Sequence, residues 1–260
     1  MSQAVPAGMT GRYRERPPPA ALARSFACLW VHEAGDEPAR PILVPPDGAI
    51  DLQWMNGSFR IAGPDTEVHT EFLPAGSRVV GFRFRPAAAT AWLGIEAHEL
   101  TNGRVALDDV WGGNARRLAA GINGDAGVEA MLLSLEEALI RRGDHGSKHP
   151  VDRAMAAAFA AMARGLPGGE ALIPQLTRTL AISERTLRRR FDAAFGYGPK
   201  TLDRILRYRR FVERARGSDL PLAMLALEAG YADQAHLSRE IRRMSGVTAK
   251  TLFPRKTTDG

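Results

Sequence analysis

The sequence has 260 residues, of which 45% are hydrophobic and 25% charged, so it is long enough and apolar enough to bury the cores of two soluble domains. No apolar run reaches the roughly 20 residues of a membrane helix, and the Arg- and Pro-rich start lacks the apolar segment of a signal peptide, so we expect a cytoplasmic protein. The net charge of +6 makes the chain basic, and its single cysteine, Cys28, excludes an internal disulfide and a multi-thiolate metal site.

The N-terminal half has the pattern of a β domain. Residues 1–20 are rich in Pro, Arg and Ala without hydrophobic periodicity, so we expect a disordered tail there. Between Phe26 and Phe84, short apolar or alternating runs are separated by the turn signals PPDG, NG, GPD and PAG. This pattern predicts a β-rich domain over residues 21–145, an antiparallel sandwich or barrel that ends in helices.

Helical patterns follow after Pro86. A helix from Val128 to Arg142 has its apolar side chains on one face, which packs either on its own domain or on a second subunit. Residues 146–169 are predicted to hold one more helix and a linker that ends at LPGGE. The predicted fold class is therefore α+β: a β-rich domain followed by an all-α domain over residues 170–256.

Positive charge is concentrated at the C-terminal end. Residues 170–260 contain 18 Lys and Arg against 10 Asp and Glu, whereas residues 1–169 contain 17 against 19. A basic segment attached to a near-neutral one is typical of a module that binds a polyanion, although a solvated basic surface gives the same count.

The C-terminal part repeats itself at an offset of 50 residues without gaps. At this offset, identical residues are paired at several positions: Leu187 with Leu237, Arg189 with Arg239, Gly196 with Gly246, and the KTL runs that start at Lys200 and Lys250. Two copies of one supersecondary unit are predicted, and a merely structural helical hairpin is the alternative.

Each copy has the parts of a helix-turn-helix. A helix over residues 171–180 precedes Ser183, a good N-cap for a second helix. In the second copy, a helix over residues 222–229 precedes Gly230, which permits a left-handed turn, and Asp233, another good N-cap. A helix, a short turn and a capped helix are the elements that place a recognition helix in the major groove of DNA.

Recognition helices are predicted at about residues 183–194 and 233–244, in successive major grooves. Arginine can donate two hydrogen bonds to guanine and glutamine can pair with adenine. We expect base contacts from the outward side chains of both helices, namely Arg185, Arg188, Arg189, Gln234, Ala235, Ser238 and Arg239. For any one of these side chains, a solvated helix face is the alternative.

A long helix from Pro199 to Arg216 is predicted to join the two units. Recognition helices that enter one DNA face one turn apart have centres separated by about 34 Å. We expect phosphate contacts from side chains next to the recognition helices, namely Lys200, Thr201, His236 and Lys250, with simple solvation as the alternative.

The C-terminal part resembles the AraC/XylS family of regulators over about residues 171–253. The matching stretches are SERTLRRRFDAAFGYGPKTLDRILRYRR and LALEAGYADQAHLSREIRRMSGVTAKTL. Ile241 and Ala249 depart from the residues usual in the family, Phe and Pro. The resemblance implies a bacterial transcription regulator associated with the nucleoid, with double-stranded DNA as its partner, no cofactor, and RNA polymerase as a second partner if it is an activator.

The N-terminal part is similar to a domain found ahead of such units in other regulators, through VPPDGAIDLQW, VVGFRFRPAAATAWLGIEAHEL and VALDDVWG. No chemistry is assigned to that domain. The resemblance implies a β domain that senses a small-molecule effector or mediates homodimerisation.

Candidate catalytic and metal residues are few. Asp47 and Asp51 are a candidate carboxylate pair, but PPDG is a turn signature and favours a turn role for Asp47. Five of the six histidines show no metal-ligand spacing, namely His32, His69, His98, His145 and His149. We therefore expect neither catalysis nor a bound metal. The alternative is a cupin-like binding protein or enzyme with an accessory nucleic-acid-binding domain.

Overall fold

The computed structural model describes residues 5–6, 11–35, 41–122, 127–143, 150–166, 171–218 and 220–253. Over these residues, no helix is both long enough and apolar enough to cross a membrane. The predicted fold class is confirmed: an N-terminal antiparallel β-rich part is followed by a helical part.

The described residues form nine strands in two sheets: β1 (Val5–Pro6), β2 (Arg12–Arg16), β3 (Phe26–Glu33), β4 (Pro41–Val44), β5 (Asp51–Met55), β6 (Ser58–Ala62), β7 (His69–Phe72), β8 (Arg78–Phe84) and β9 (Arg104–Ala106). The larger sheet is antiparallel with the order β2-β3-β8-β5-β6-β9. In the smaller sheet, β4 pairs in parallel with β1 and antiparallel with β7. The predicted NG turn joins β5 to β6, with Asn56 and Gly57 both at positive φ, as a tight hairpin turn requires.

The larger sheet is covered on both faces. On one face, Trp30 and Val79 pack against Ile42 of the smaller sheet, which makes the two sheets a sandwich. On the other face, Leu52, Phe82 and other side chains are fully buried in a core shared with the helices that follow the strands. The β part therefore has its own hydrophobic core.

The prediction of a disordered tail over residues 1–20 is wrong for Arg12–Arg16. This segment is β2, paired antiparallel with β3 along five residues as the edge strand of the larger sheet. Its side chains are mostly exposed, so it has no hydrophobic pattern to reveal a strand. Charged residues on an edge strand also disfavour pairing with another chain.

The described residues form eleven α-helices and a 3₁₀ helix at Ala97–Leu100: α1 (Ala89–Leu93), α2 (Leu107–Trp111), α3 (Gly113–Ala120), α4 (Val128–Gly143), α5 (Arg153–Arg164), α6 (Leu172–Leu180), α7 (Glu184–Phe195), α8 (Pro199–Ala215), α9 (Leu222–Glu228), α10 (Gln234–Ser245) and α11 (Ala249–Leu252). The apolar face of α4 packs on its own domain, since Met131, Leu135 and Leu139 are buried in the core of the larger sheet. Sequence analysis left open whether this helix packs on its own domain or on a second subunit, and the structure shows that it packs on its own domain.

The helices from α5 to α11 share one hydrophobic core. Met155 and Met162 of α5 are fully buried in it together with Phe191 of α7 and Phe211 of α8. We therefore propose that α5 belongs to the C-terminal domain and that the boundary between the domains lies before Arg153.

Candidate nucleic-acid interface

The helices α7 and α10 are equivalent elements of the 50-residue repeat. Each has 12 residues and begins after a side chain that caps it: Ser183 accepts from the backbone N–H of Thr186 at 3.2 Å, and Asp233 accepts from that of His236 at 2.6 Å. Such caps satisfy backbone donors that the first helical turn leaves unpaired. The start of each helix is thus determined by its own local sequence. Both helices begin one residue later than predicted, at Glu184 and Gln234 rather than at 183 and 233.

One face of each helix is buried and the opposite face is exposed. Leu187 and Phe191 hold α7 to the domain, and Leu237 and Ile241 hold α10 in the same way. The seven side chains predicted to contact bases are all exposed: Arg185, Arg188 and Arg189 on α7, and Gln234, Ala235, Ser238 and Arg239 on α10. Among the residues that the structure describes, none covers either polar face.

The turns before the two helices use different residues. In the second unit, Gly230 has the expected positive φ of 80°, and Tyr231 is buried next to it. In the first unit, the left-handed position is Ala181, with φ 52° and ψ 42°. Sequence reasoning missed this position because alanine rarely adopts that conformation and gives no signal for it.

Two of the arginines on α7 form ion pairs. Arg188 pairs with Glu184 one turn earlier, at 2.6 Å, and both side chains are largely exposed. Arg190, on the flank of the helix, binds Asp152 at the N-terminus of α5. Arg190 therefore stabilises the domain, whereas Arg185 and Arg189 lie on the exposed face beside Arg188.

The arginines of α8 bind backbone carbonyls. Arg207, Arg210 and Arg214 donate to the carbonyl oxygens of Gly230, Met162 and Glu228, at distances of 3.4, 2.6 and 2.7 Å. Met162 and Glu228 lie in the last turns of α5 and α9, and the Met162 carbonyl also accepts from the backbone N–H of Gly165 at 3.0 Å. Burial lowers the pKa of Arg210 from its ordinary value. Arg207 and Arg210 are half-buried and stabilise the domain, whereas Arg214 binds its carbonyl from an exposed position.

The predicted phosphate-contacting residues lie at the edges of the two faces. Lys200 and Lys250 are exposed in the first turns of α8 and α11, at equivalent positions of the repeat. Thr201 is half-buried beside Lys200. His236 packs edge-to-face on Tyr231, with ring centroids 5.4 Å apart.

The candidate carboxylates of the β domain form an ion cluster. The Arg83 guanidinium lies 2.9 Å from an oxygen of Asp47 and 3.1 Å from one of Asp51. Burial raises the pKa of Asp51, although Arg83 opposes the shift. Asp47 also accepts from the backbone N–H of Ala49 at 2.9 Å, which is the expected turn contact.

Within the described residues, no group of three or more His, Cys, Asp or Glu side chains is placed to hold a metal ion. Burial lowers the pKa of His32 and of His69, and His98 pairs with Glu96 at 3.2 Å. His145 and His149 lie outside the described residues.

A cleft of about 210 Å³ lies between the β domain and the C-terminal domain. Its walls are apolar at Phe84, Phe159 and Phe195, and three arginines border it, Arg83, Arg85 and Arg209. Arg83 pairs with Asp47 and Asp51, and Arg209 donates to the carbonyl oxygen of Asp47 at 3.0 Å. Arg85 is exposed, and its Nε donates to a backbone carbonyl.

Two family descriptions match the sequence. Residues 176–255 match a helix-turn-helix domain, and residues 14–106 match a domain of unknown function, DUF6597. No curated protein matches the chain.

Several solved structures of regulators are similar to this chain. A ligand-free ToxT variant from Vibrio cholerae is 11% identical and covers 92% of this chain and 99% of its own, with a TM-score of 0.46. ToxT with a bound unsaturated fatty acid is 11% identical, and the match covers 88% of this chain and 90% of ToxT, with a TM-score of 0.40. A third structure is a regulator from Chromobacterium violaceum with an AraC-type DNA-binding domain. It is 19% identical, and the match covers 41% of this chain and 91% of the regulator, with a TM-score of 0.34. Since these scores lie below 0.5, the helix-turn-helix match is the finding that bears on function.

Proposed function

We propose that this chain is a transcription regulator of the AraC type and that its helix-turn-helix domain reads double-stranded DNA with the exposed faces of α7 and α10. One observation carries the proposal: two equivalent capped helices expose their polar faces while their opposite faces are buried in a single core. In such a domain each face enters a major groove, and the two grooves are successive.

On α7, Arg185, Arg188 and Arg189 supply the base contacts. Arg188 has to exchange Glu184 for a base. An exposed ion pair of this kind contributes about 0–1 kcal/mol, whereas a bidentate arginine–guanine contact discriminates by about 1–3 kcal/mol. The exchange is therefore favourable, and Glu184 does not prevent Arg188 from reading DNA.

The face of α10 carries less charge. Among the four side chains predicted to contact bases from α10, Arg239 is the one that is basic, and Gln234 can pair with adenine. The Ser238 hydroxyl donates to the carbonyl oxygen of Gln234 at 2.8 Å, so it meets a base as an acceptor. Ala235 offers a methyl contact. We propose that Lys200, Thr201, His236 and Lys250 bind the phosphates that flank both helices.

Alanine substitution of Arg189 and Arg239, in the full chain, tests this assignment. DNA selected from a random pool by the unaltered protein defines the two half-sites, and binding to it should weaken steeply with salt because phosphate contacts release counterions. Each variant should lose base preference at one half-site only, with affinity there reduced by about 5- to 150-fold, which corresponds to about 1–3 kcal/mol.

Arg116→Ala is the matched control, since Arg116 is an exposed arginine of the β domain paired with Asp108. It should bind like the unaltered protein. Unchanged base preference in both Arg189→Ala and Arg239→Ala would contradict the residue assignment, and absence of specific binding by the unaltered chain would contradict the function itself.

We also propose a small-molecule effector site in the cleft between the domains, with Arg85 as the exposed cation at its edge. The volume of about 210 Å³ lies below the range of about 300–1,000 Å³ usual for ligand pockets, which favours a small ligand. Apolar walls and a bordering guanidinium suit a small organic anion. We propose further that the chain acts at the nucleoid without enzymatic activity, forms a homodimer, and contacts RNA polymerase if it activates transcription.

A further inference from the structure

The β domain contacts both helix-turn-helix units at equivalent positions of the repeat. In the first unit, the Thr90 hydroxyl donates to the carbonyl oxygen of Ala193 at 2.9 Å. In the second unit, the backbone N–H of Val68 donates to the carbonyl oxygen of Arg243 at 3.4 Å. Ala193 and Arg243 are separated by the 50 residues of the repeat, so the same carbonyl of each recognition helix accepts a hydrogen bond from the β domain.

The glycines that end the two recognition helices are also contacted. The Thr101 hydroxyl donates to the carbonyl oxygen of Gly196 at 2.8 Å, and a Cβ on this glycine would lie 2.5 Å from Thr101 Oγ1 and 2.7 Å from Pro64. At Gly246, a Cβ would lie 3.2 Å from Leu43 and 3.5 Å from Val68. Both helices therefore rest on the β domain by their C-terminal ends.

We infer that this surface of the β domain, formed by Leu43, Pro64, Val68, Thr90 and Thr101, fixes the placement of the two recognition helices relative to each other. The inference rests on the proposed function. The helix α8 joins the two units along the chain, and the β domain is a second connection between them. The side chains that read DNA lie away from the contacted ends and stay exposed. This surface thus sets the distance between half-sites that the protein accepts, without covering the DNA-binding faces.

The loop that reaches the second unit is itself held firmly. Residues 63–68 follow β6, and the Asp65 carboxylate accepts two hydrogen bonds from Arg104, at 3.1 and 2.8 Å. Asn102 Oδ1 accepts from the backbone N–H of Thr66 at 2.8 Å, and the carbonyl oxygen of Thr66 accepts from Arg204 of α8 at 3.4 Å. The loop is therefore a rigid part of the β domain.

The test removes the two hydroxyl contacts to the first unit in the full chain. In a Thr90→Val, Thr101→Val double variant, both side chains keep their shape while Ala193 and Gly196 lose a donor. DNA duplexes carry the two selected half-sites at their natural spacing or with base pairs inserted between them. The unaltered protein should bind the natural spacing much more tightly. In the double variant, the ratio of the affinities for natural and altered spacing should fall about tenfold, because two hydrogen bonds no longer hold the first unit.

Two controls separate this inference from damage to the domain. The affinity of the double variant for a duplex with one half-site should stay within about twofold, since both recognition helices are intact. Thr177→Val removes a hydroxyl that donates within α6 itself, at 3.0 Å to Pro174, and should leave the spacing preference unchanged.

Val68→Ala is an independent variant, because it removes the methyl groups beside Gly246 of the second unit, one of which would lie 3.5 Å from a Cβ at that position. It should also weaken the spacing preference. A spacing preference that is unchanged in both the double variant and Val68→Ala overturns the inference while leaving DNA binding by the proposed residues in place.

Discussion

At the scale of single residues, the chain divides its arginines between two roles. Arg185, Arg189 and Arg239 of α7 and α10 are exposed, and we propose that they bind DNA. Arg207, Arg210 and Arg214 of α8 instead bind carbonyls at helix ends and at a turn. A hydrogen bond from a charged group to a backbone carbonyl is stronger than a neutral one. Arg207 and Arg210 are also half-buried, so the basic charge of the C-terminal domain overstates its number of exposed cations.

Ala181 gives a prediction at this scale. An L-residue in the left-handed region costs about 1–2 kcal/mol, and glycine removes that cost while losing about 0.5–1 kcal/mol in backbone entropy. Ala181→Gly should therefore raise the free energy of unfolding by about 0.5–1 kcal/mol in urea denaturation.

Ala223→Gly is the control, since Ala223 is an exposed residue of α9 with ordinary helical geometry. The same substitution should lower the free energy of unfolding there by about 0.5–1 kcal/mol. Equal signs for the two variants would show that the conformation of Ala181 is not strained.

At the scale of elements, the helices α7 and α10 are alike because their local sequences are alike. Each has a capping side chain before it and a glycine with positive φ after it, at φ 81° for Gly196 and 73° for Gly246. Left-handed glycines commonly end helices because they bear no Cβ penalty. The helices that precede them differ, since α6 ends at Leu180 and is capped by the left-handed Ala181, whereas α9 is shorter and is capped by Ala229 in ordinary helical geometry.

The caps give a prediction for these elements. Ser183→Ala and Asp233→Ala should each lower the free energy of unfolding by about 1 kcal/mol, because each leaves a helix N–H without its partner. Asp233→Ala should cost somewhat more, since a carboxylate also interacts favourably with the helix N-terminus. Urea denaturation measures both.

Ser134→Ala is the matched control. The Ser134 hydroxyl is exposed within α4 and donates to the carbonyl oxygen of Ala130, so it caps nothing. Alanine there should leave stability unchanged or raise it slightly, because alanine is the better helix former. A loss equal to that of the two cap variants would mean that the caps have no special role.

At the scale of the whole molecule, the two domains share a contact surface and a cleft. The cleft lies beside the C-terminal end of α7, through Ala194 and Phe195, so a ligand in it touches both domains. A molecule that binds there stabilises the docked arrangement by mass action.

Small organic acids test this site. Benzoate or hexanoate at about tenfold above its Kd should raise the melting temperature of the full chain by on the order of 3 °C. Ala27→Phe should abolish the shift, because Ala27 is an exposed residue on the wall of the cleft. Ala120→Phe, at an exposed position on α3, should retain it. An equal rise in melting temperature for both variants would mean that the acid binds outside the cleft.

The sequence by itself determined the elements that arise from local interactions. The repeat, the caps at Ser183 and Asp233, and the buried stripes of α7 and α10 follow from hydrogen bonds and side-chain spacing within a few residues, so they could be predicted. The turn at Gly230 could be predicted for the same reason, because glycine is the usual residue at positive φ.

Only the tertiary structure decided the contacts between distant residues. The pairing of β2 with β3, the carbonyl partners of the α8 arginines, and the docking of Gly196 and Gly246 on the β domain join residues that no local pattern connects. An exposed arginine and one that binds a remote carbonyl have the same sequence signal, since their difference depends on which element packs nearby. The exposed faces of α7 and α10 followed from periodicity, whereas the placement of those faces relative to each other required the fold.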